Sequence, residues 1–333
     1  MRAHRSYLRP WAIIIAAMCV FAATPGRCDV VTVHDAAGRD VKIADAGRIV
    51  SVGGAVTEIL YALGLEQRVI AVDTTSLFPP RALAEKPNVG YMRKLSPEGV
   101  LGLGPSLVLA AEGSGPKETI AVLESAAIPF VQIPDRFTGE GVVEKIRLIA
   151  QATGTVARGE CLARSVESDL AALAQLRSHI EHPRNTLFLL SFVNGRPMVA
   201  GRATAADGIM ALAGAANAIT AYEGYKPVTD EAIIAARPDA VLAMERASFR
   251  LDARTVFDHP AFGATPAAAQ KSLISMEGHY LLGFGPRAAR AARDLAVALY
   301  PSLDPAHDPS AARELLPSER TPGDARWEAS CPR

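Results

Sequence analysis

The stretch Leu95-Ser96-Pro97-Glu98-Gly99-Val100-Leu101-Gly102-Leu103-Gly104-Pro105-Ser106-Leu107-Val108-Leu109-Ala110 decides the fold. Ser96 is a helix cap, Pro97 suits the first helical position, and Glu98 puts a carboxylate on the first turn. Gly104-Pro105 stops that helix, and the continuous apolar run 107–110 reads as a buried strand. The same unit returns as Val228-Thr229-Asp230-Glu231, a helix that runs to Arg237-Pro238, and the strand Ala240-Val241-Leu242-Ala243. A first-turn carboxylate is worth about 0.5 kcal/mol to its helix, so capping alone explains a single copy. Two copies at matching places, one in each half of the chain, raise a second role as paired charges that dock a partner.

Outward from the first copy, Arg48-Ile49-Val50-Ser51-Val52-Gly53-Gly54 reads as a buried strand ending in a glycine turn. Helices follow at 57–63, 97–104, 116–127 and 139–153, and strands at 69–73, 107–111 and 129–133. Residues 30–46 alternate apolar and polar around Gly38, a small hairpin. Strands alternating with helices predict a parallel sheet covered on both faces. Leu162, Val166, Leu170, Leu173 and Leu176 then recur at helical spacing, predicting one long helix over 155–182 stopped by Pro183. Beyond it the alternation restarts. Strands are expected at 186–192, 240–244 and 272–275, a hairpin-like turn at Asn194-Gly195, and helices at 205–213, 230–236, near 253–258 and at 286–299. The fold class is α/β, with two Rossmann-like lobes joined by one long α-helix.

The chain has 333 residues, 49% of them hydrophobic, enough for two cores. Lys+Arg and Asp+Glu are equal at 35 each, which leaves no global basic field for nucleic acid. Arg2, Arg5 and Arg9 precede an apolar run over 11–23, shorter than the ~20 residues a spanning helix needs. Ala22, Ala23 and Gly26 offer cleavage sites. An uncleaved membrane anchor is the rival reading, and Cys28 would suit a lipidated end, though Arg27 before it fits that poorly. The expected division is a signal peptide over 1–28, an N-terminal lobe over 29–154 and the linking helix over 155–182. A C-terminal lobe over 183–303 and a flexible tail over 304–333, rich in Pro, Ser and charge, complete it. The mature protein is expected in the periplasm. The four cysteines show neither Cys-x-x-Cys nor metal-ligand spacing, and Cys28 could pair with Cys331 in an oxidising compartment.

One loop carries chemistry. In Gly90-Tyr91-Met92-Arg93-Lys94, a tyrosine is followed two residues on by an arginine. A free phenol ionises near pH ~10, but ferric iron and a nearby guanidinium both favour the phenolate. The bland reading of Tyr91 is an aromatic packed at a strand edge; that of Arg93 is a solvated surface charge. Tyr225 would stack on a planar ligand or simply pack, and Lys94, Arg202 and Lys226 are weaker candidates for a ligand's carboxylates. No two of the seven histidines have zinc-site spacing. His259, before Pro260, is the least implausible second ligand. Gly53-Gly54 and Gly283-Phe284-Gly285-Pro286 lack a phosphate-loop pattern, and there is no nucleophile elbow, so nothing supports an enzyme.

The chain resembles the substrate-binding proteins of bacterial haem-uptake ABC transporters, within the wider group of cobalamin and siderophore binding proteins. The resemblance covers about residues 45–300. It rests on Arg48-Ile49-Val50, Thr57-Glu58-Ile59, Gly90-Tyr91-Met92-Arg93, Leu95-Ser96-Pro97-Glu98-Gly99-Val100, residues 201–214, Glu223-Gly224-Tyr225-Lys226-Pro227 and Leu282-Gly283-Phe284-Gly285-Pro286-Arg287. It implies a ligand cleft between the lobes, with ferric haem b as the transported ligand. Tyr91 then matches the axial ligand of the haem iron, and Arg93 the residue that hydrogen-bonds the ligand oxygen. Arg246 matches an arginine facing the haem from the other lobe, although Glu245 and Ala247 flank it where the family commonly has threonine and glycine. Glu98 and Glu231 match the glutamates that dock onto the permease dimer of an ABC transporter. An outer-membrane haem receptor system would be an indirect partner. The rivals are the same fold carrying a corrinoid or ferric siderophore, an exported haem-handling enzyme, and a zinc or manganese carrier.

Overall fold

A computed structural model describes residues 30–193, 195–245 and 251–303. Residues 1–29, Asn194, 246–250 and 304–333 lie outside the described residues, and with them the expected signal peptide and tail and the candidate Arg246. The chain opens with an antiparallel hairpin of β1 (Val31–His34) and β2 (Asp40–Ile43). The first lobe then runs β3 (Ile49–Val52), α1 (Gly54–Ala62), β4 (Val69–Val72), α2 (Pro80–Glu85), α3 (Pro97–Leu101), β5 (Leu107–Ala111), α4 (Lys117–Ser125), β6 (Phe130–Ile133) and α5 (Gly139–Ala152). Its sheet has the order β4-β3-β5-β6, all parallel.

Helix α6 (Val156–Arg177) leads into the second lobe. It stops short of Pro183: the Ser178 hydroxyl donates to the Gln175 carbonyl at 2.7 Å, capping the last turn. The second lobe runs β7 (Asn185–Val193), β8 (Arg196–Ala200), α7 (Ala205–Leu212), β9 (Ala216–Asn217), β10 (Tyr225–Pro227), α8 (Asp230–Ala236) and β11 (Ala240–Glu245). It finishes with α9 (Ala253–Phe257), α10 (Pro260–Gly263), α11 (Pro266–Ala269), β12 (Leu273–Glu277), α12 (Gly278–Leu282) and α13 (Ala288–Leu299). Its sheet has the order β10-β8-β7-β11-β12, with β9 paired to β7. Strands β7, β11 and β12 are parallel, but β8 returns antiparallel on β7 and β10 antiparallel on β8. A hairpin between β7 and β8 replaces a helical crossover, so this lobe departs from strict alternation.

Alternation along each strand decides where the core sits. In β5, Leu107 and Leu109 face one apolar cluster while Val108 and Ala110 face another. In β11, Leu242 faces the first of these clusters while Val241 and Ala243 face a third. One face of each sheet therefore contributes to a common core. That core holds Val56 and Ile59 of α1, Ile146 of α5, Val166 of α6, Met210 of α7, Phe284 between α12 and α13, and Leu295 of α13. The lobes are thus fused along one apolar layer, with the linking helix in it.

Lys145 of α5 lies inside this layer, fully buried. Its ammonium donates to Asp135 at 2.7 Å and to the carbonyl of Phe284, from the other lobe, at 3.4 Å. A buried ammonium needs such partners, because desolvation of an unpaired ion is costly. Asp135→Ala should lower unfolding stability by about 3 kcal/mol, seen as a lower urea midpoint. An unchanged midpoint would mean that the carbonyl alone satisfies the ammonium.

Candidate functional site

Tyr91 sits on a hydrogen-bonded turn. The Val89 amide donates to the Val72 carbonyl at the end of β4, and the Thr74 amide to the Gly90 carbonyl, each at 2.9 Å. The Lys94 amide closes the turn on the Tyr91 carbonyl at 2.7 Å, and the Gly115 amide holds the Met92 carbonyl. The backbone is therefore fixed while the Tyr91 side chain stays 42% exposed. Among the described residues nothing hydrogen-bonds its hydroxyl. A large aromatic left in solvent on an ordered turn is the kind of residue that meets a ligand.

Tyr225 opens β10, and its ring meets Phe188 edge-on at 6.2 Å between centroids. It leaves 37% of its surface exposed, yet the hydroxyl end is enclosed against the backbone of Ala206 and the side chain of Thr204. That burial pushes the phenol above the usual tyrosine range, although the Ala206 N–H, Thr204 and the charge of Arg93 all pull it down. Arg93 belongs to the first lobe and Tyr225 to the second. The Tyr91–Arg93 turn and β10 therefore face each other across the lobe boundary. Arg93 has no carboxylate within ion-pairing distance among the described residues.

The lesser candidates divide. Arg202 pairs with Glu223 at 3.7 Å, and Lys226 lies 5.0 Å from the Tyr222 ring centroid, so both already have partners. His259 accepts the Ala261 amide at Nδ1 and packs between Phe192 and Phe262, a structural setting. No cluster of His, Cys, Asp and Glu that could hold a metal ion occurs among the described residues. Cys161, which its spacing singles out for no partner, is disulfide-bonded. The other three cysteines lie outside the described residues.

The paired glutamates occupy matching places. Ser96 caps α3 and its hydroxyl donates to the Glu98 carboxylate at 2.8 Å. Thr229 caps α8, and its hydroxyl and the Glu231 amide lie beside the Glu231 carboxylate. Both carboxyls lie below the usual range for that reason: the Ser96 hydroxyl dominates at Glu98, the backbone amide at Glu231. Both are fully exposed and ionised.

Sequence reasoning missed Glu58. It lies in α1, where Gly54 to Tyr61 are all buried, and its carboxylate is 6% exposed. Arg287 of the other lobe grips it with a fork, Nε to Oε1 at 3.1 Å and Nη2 to Oε2 at 3.0 Å. His279 Nε2 lies 3.4 Å from Oε2. Burial alone would raise this carboxyl, but the adjacent His279 imidazole and the Arg287 guanidinium hold it below the usual range. A lone acid inside an otherwise apolar helix was the signal, because such a charge demands a partner.

The periplasmic binding protein family model matches residues 49–280. The chain belongs to the periplasmic binding protein family. The architecture of two α/β lobes agrees with this. Among solved structures, this family member is similar to the periplasmic haem-binding protein RhuT from Roseiflexus sp. RS-1. The identity is 38% and the TM-score 0.71, covering 78% of this chain and 100% of that one. It is 28% identical over 275 residues to the ABC transporter substrate-binding lipoprotein YvrC of Bacillus subtilis (strain 168), covering 81% and 86% of the two chains. The vitamin B12-binding protein of Pectobacterium atrosepticum is 24% identical over 238 residues, covering 71% and 84%.

Tyr225 should ionise above the ordinary ~10, so a phenolate difference spectrum between wild type and Tyr225→Phe should develop only in stronger alkali. Stability contributed by the neutral Tyr225 is present below the unfolded pKa and lost as pH rises through the folded one. A difference spectrum complete by pH ~10 would contradict the enclosed hydroxyl.

Proposed function

We propose that this protein binds ferric haem between its lobes in the periplasm and delivers it to the permease of an ABC transporter. The observation that carries this reading is an exposed phenol on a fixed turn, with a guanidinium two residues on and a second phenol opposite. Tyr91 supplies the axial oxygen to the iron. Tyr225, kept neutral by enclosure, cannot easily become the phenolate, so it lines the porphyrin as a ring. Arg93 stabilises the Tyr91 phenolate or a propionate, and Arg246 contributes from the other lobe. A hard anionic oxygen favours ferric over ferrous iron, which suits a carrier outside the cytoplasm. Glu98 and Glu231 meet arginines of the permease dimer. The similarity to a haem-binding protein over its full length supports the same ligand here.

The vitamin B12-binding relative supplies the second reading, a corrinoid carried on the same fold. A corrinoid needs no protein phenolate, so Tyr91 discriminates the two.

An absorption titration with ferric haem should saturate with a tyrosinate-type spectrum. Tyr91→Phe should weaken binding about 10- to 100-fold, the range for losing a charge-assisted contact, and should abolish that signature. Saturable cobalamin binding with no haem spectrum would replace the haem reading. Glu98→Arg and Glu231→Arg should each lower apparent affinity for the reconstituted transporter about tenfold with haem binding untouched. Transporter stimulation unchanged in the double variant would remove the docking role.

A further inference from the structure

The cross-lobe cluster at Glu58 stands apart from the ligand-facing residues, yet short covalent and hydrogen-bonded links join it to both of them. On the first lobe, the Arg287 guanidinium stacks on Phe78, with its carbon 3.4 Å from the ring centroid. Phe78 ends the loop 73–78, which is stiffened at its base. Asp73 accepts from the amides of Gly53 and Thr75 and from the hydroxyls of Thr75 and Ser76. The next hydroxyls inward are Thr57, neighbour of Glu58, and Ser51. The same loop accepts the Tyr91 turn, through the bond from the Thr74 amide to the Gly90 carbonyl.

On the second lobe, Arg287 and His279 flank Phe284. Phe284 packs on Phe137 and against Gly208 of α7, where an added Cβ would come within 3.0 Å of its ring. Thr204, which caps α7, lies beside the Tyr225 hydroxyl. Each side of the ion cluster is thus a few contacts from one of the two cleft tyrosines. The approach is also close at the cluster itself: a Cβ on Gly54 would lie 2.3 Å from the His279 ring. Apolar packing between the lobes is non-directional and tolerates sliding. A two-pronged guanidinium–carboxylate bond does not.

We propose that Glu58 is a positioning residue for the ligand cleft: held by Arg287 and His279, it fixes the lobe spacing at which Tyr91 and Tyr225 face one ligand. The idea rests on the haem-carrier reading for its ligand, but its geometry stands on the lobes alone. Glu58 touches no ligand. Its removal changes how often the two faces stand at the competent spacing, and apparent affinity falls by that fraction.

The test uses the full mature protein as wild type, Glu58→Gln and Arg287→Lys. Glu58→Gln keeps the side-chain shape and loses the charge; Arg287→Lys keeps the charge and loses the fork. Spin labels at the exposed positions Lys117 and Arg254, one per lobe, report lobe spacing by pulsed electron resonance. Ferric haem titration reports affinity and iron ligation. Both variants should broaden the distance distribution. If the competent spacing falls to about one-tenth of the population, haem binds about tenfold more weakly, with the tyrosinate signature intact because Tyr91 is untouched. Folded variants with the wild-type distance distribution overturn the proposal, whatever their thermal stability. A broadened distribution with wild-type haem affinity also overturns it. If the wild type binds no haem, the carrier reading fails, while the distance distributions still decide whether Glu58 fixes the lobes.

Discussion

A carboxylate sealed from water must find its partners inside the protein, and those of Glu58 among the described residues come from the opposite lobe. That constraint organises much of the molecule. It places Arg287 at the mouth of α13, sets His279 against the glycine turn after β3, and brings the Phe78 loop under the guanidinium. Replacing such an ion pair by matched apolar groups often costs nothing in stability, whereas breaking one side of it is expensive. Its use here is therefore directional. The common apolar layer holds the lobes together, and the fork decides how they are aligned.

The same logic recurs at the site. Tyr91 is presented by backbone bonds that leave its side chain to solvent, and Tyr225 packs edge-on against Phe188 while its ring stays half open. Burial pushes the Tyr225 phenol above the usual tyrosine range. The charge of Arg93 favours the Tyr225 phenolate across the lobe boundary. Reading Arg93 only as the companion of Tyr91, two residues away, overlooks an electrostatic neighbour from a distant part of the chain.

Much of the fold was legible because its signals are local. The run 107–111 is a buried strand because it is apolar without interruption, and Ser96 and Thr229 cap the helices their spacing announces. Period-two alternation within those strands even sorts side chains between the two faces. The antiparallel edge of the second lobe was less legible, since strand β10 spans Tyr225–Pro227 and its identity comes from pairing with β8. The helices α10 to α12 are one turn long and exist through tertiary packing, not propensity. At the site, the Tyr-x-Arg spacing and the twin glutamates stood out as motifs. Glu58, Arg287 and Thr204 did not, because each acts through a residue far away in sequence, and a single chain carries no mark of that distance.

The common apolar layer has a consequence for how the protein fails. Two lobes with separate cores would melt as two transitions, each leaving a half-folded intermediate. Here Val56 and Ile59 of the first lobe share a cluster with Met210 and Phe284 of the second. Unfolding either lobe strips the other of part of its interior, so the two lose structure as one cooperative unit. A protease outside the cytoplasm consequently meets the intact chain or the unfolded one, with little opportunity to nick a partly opened form.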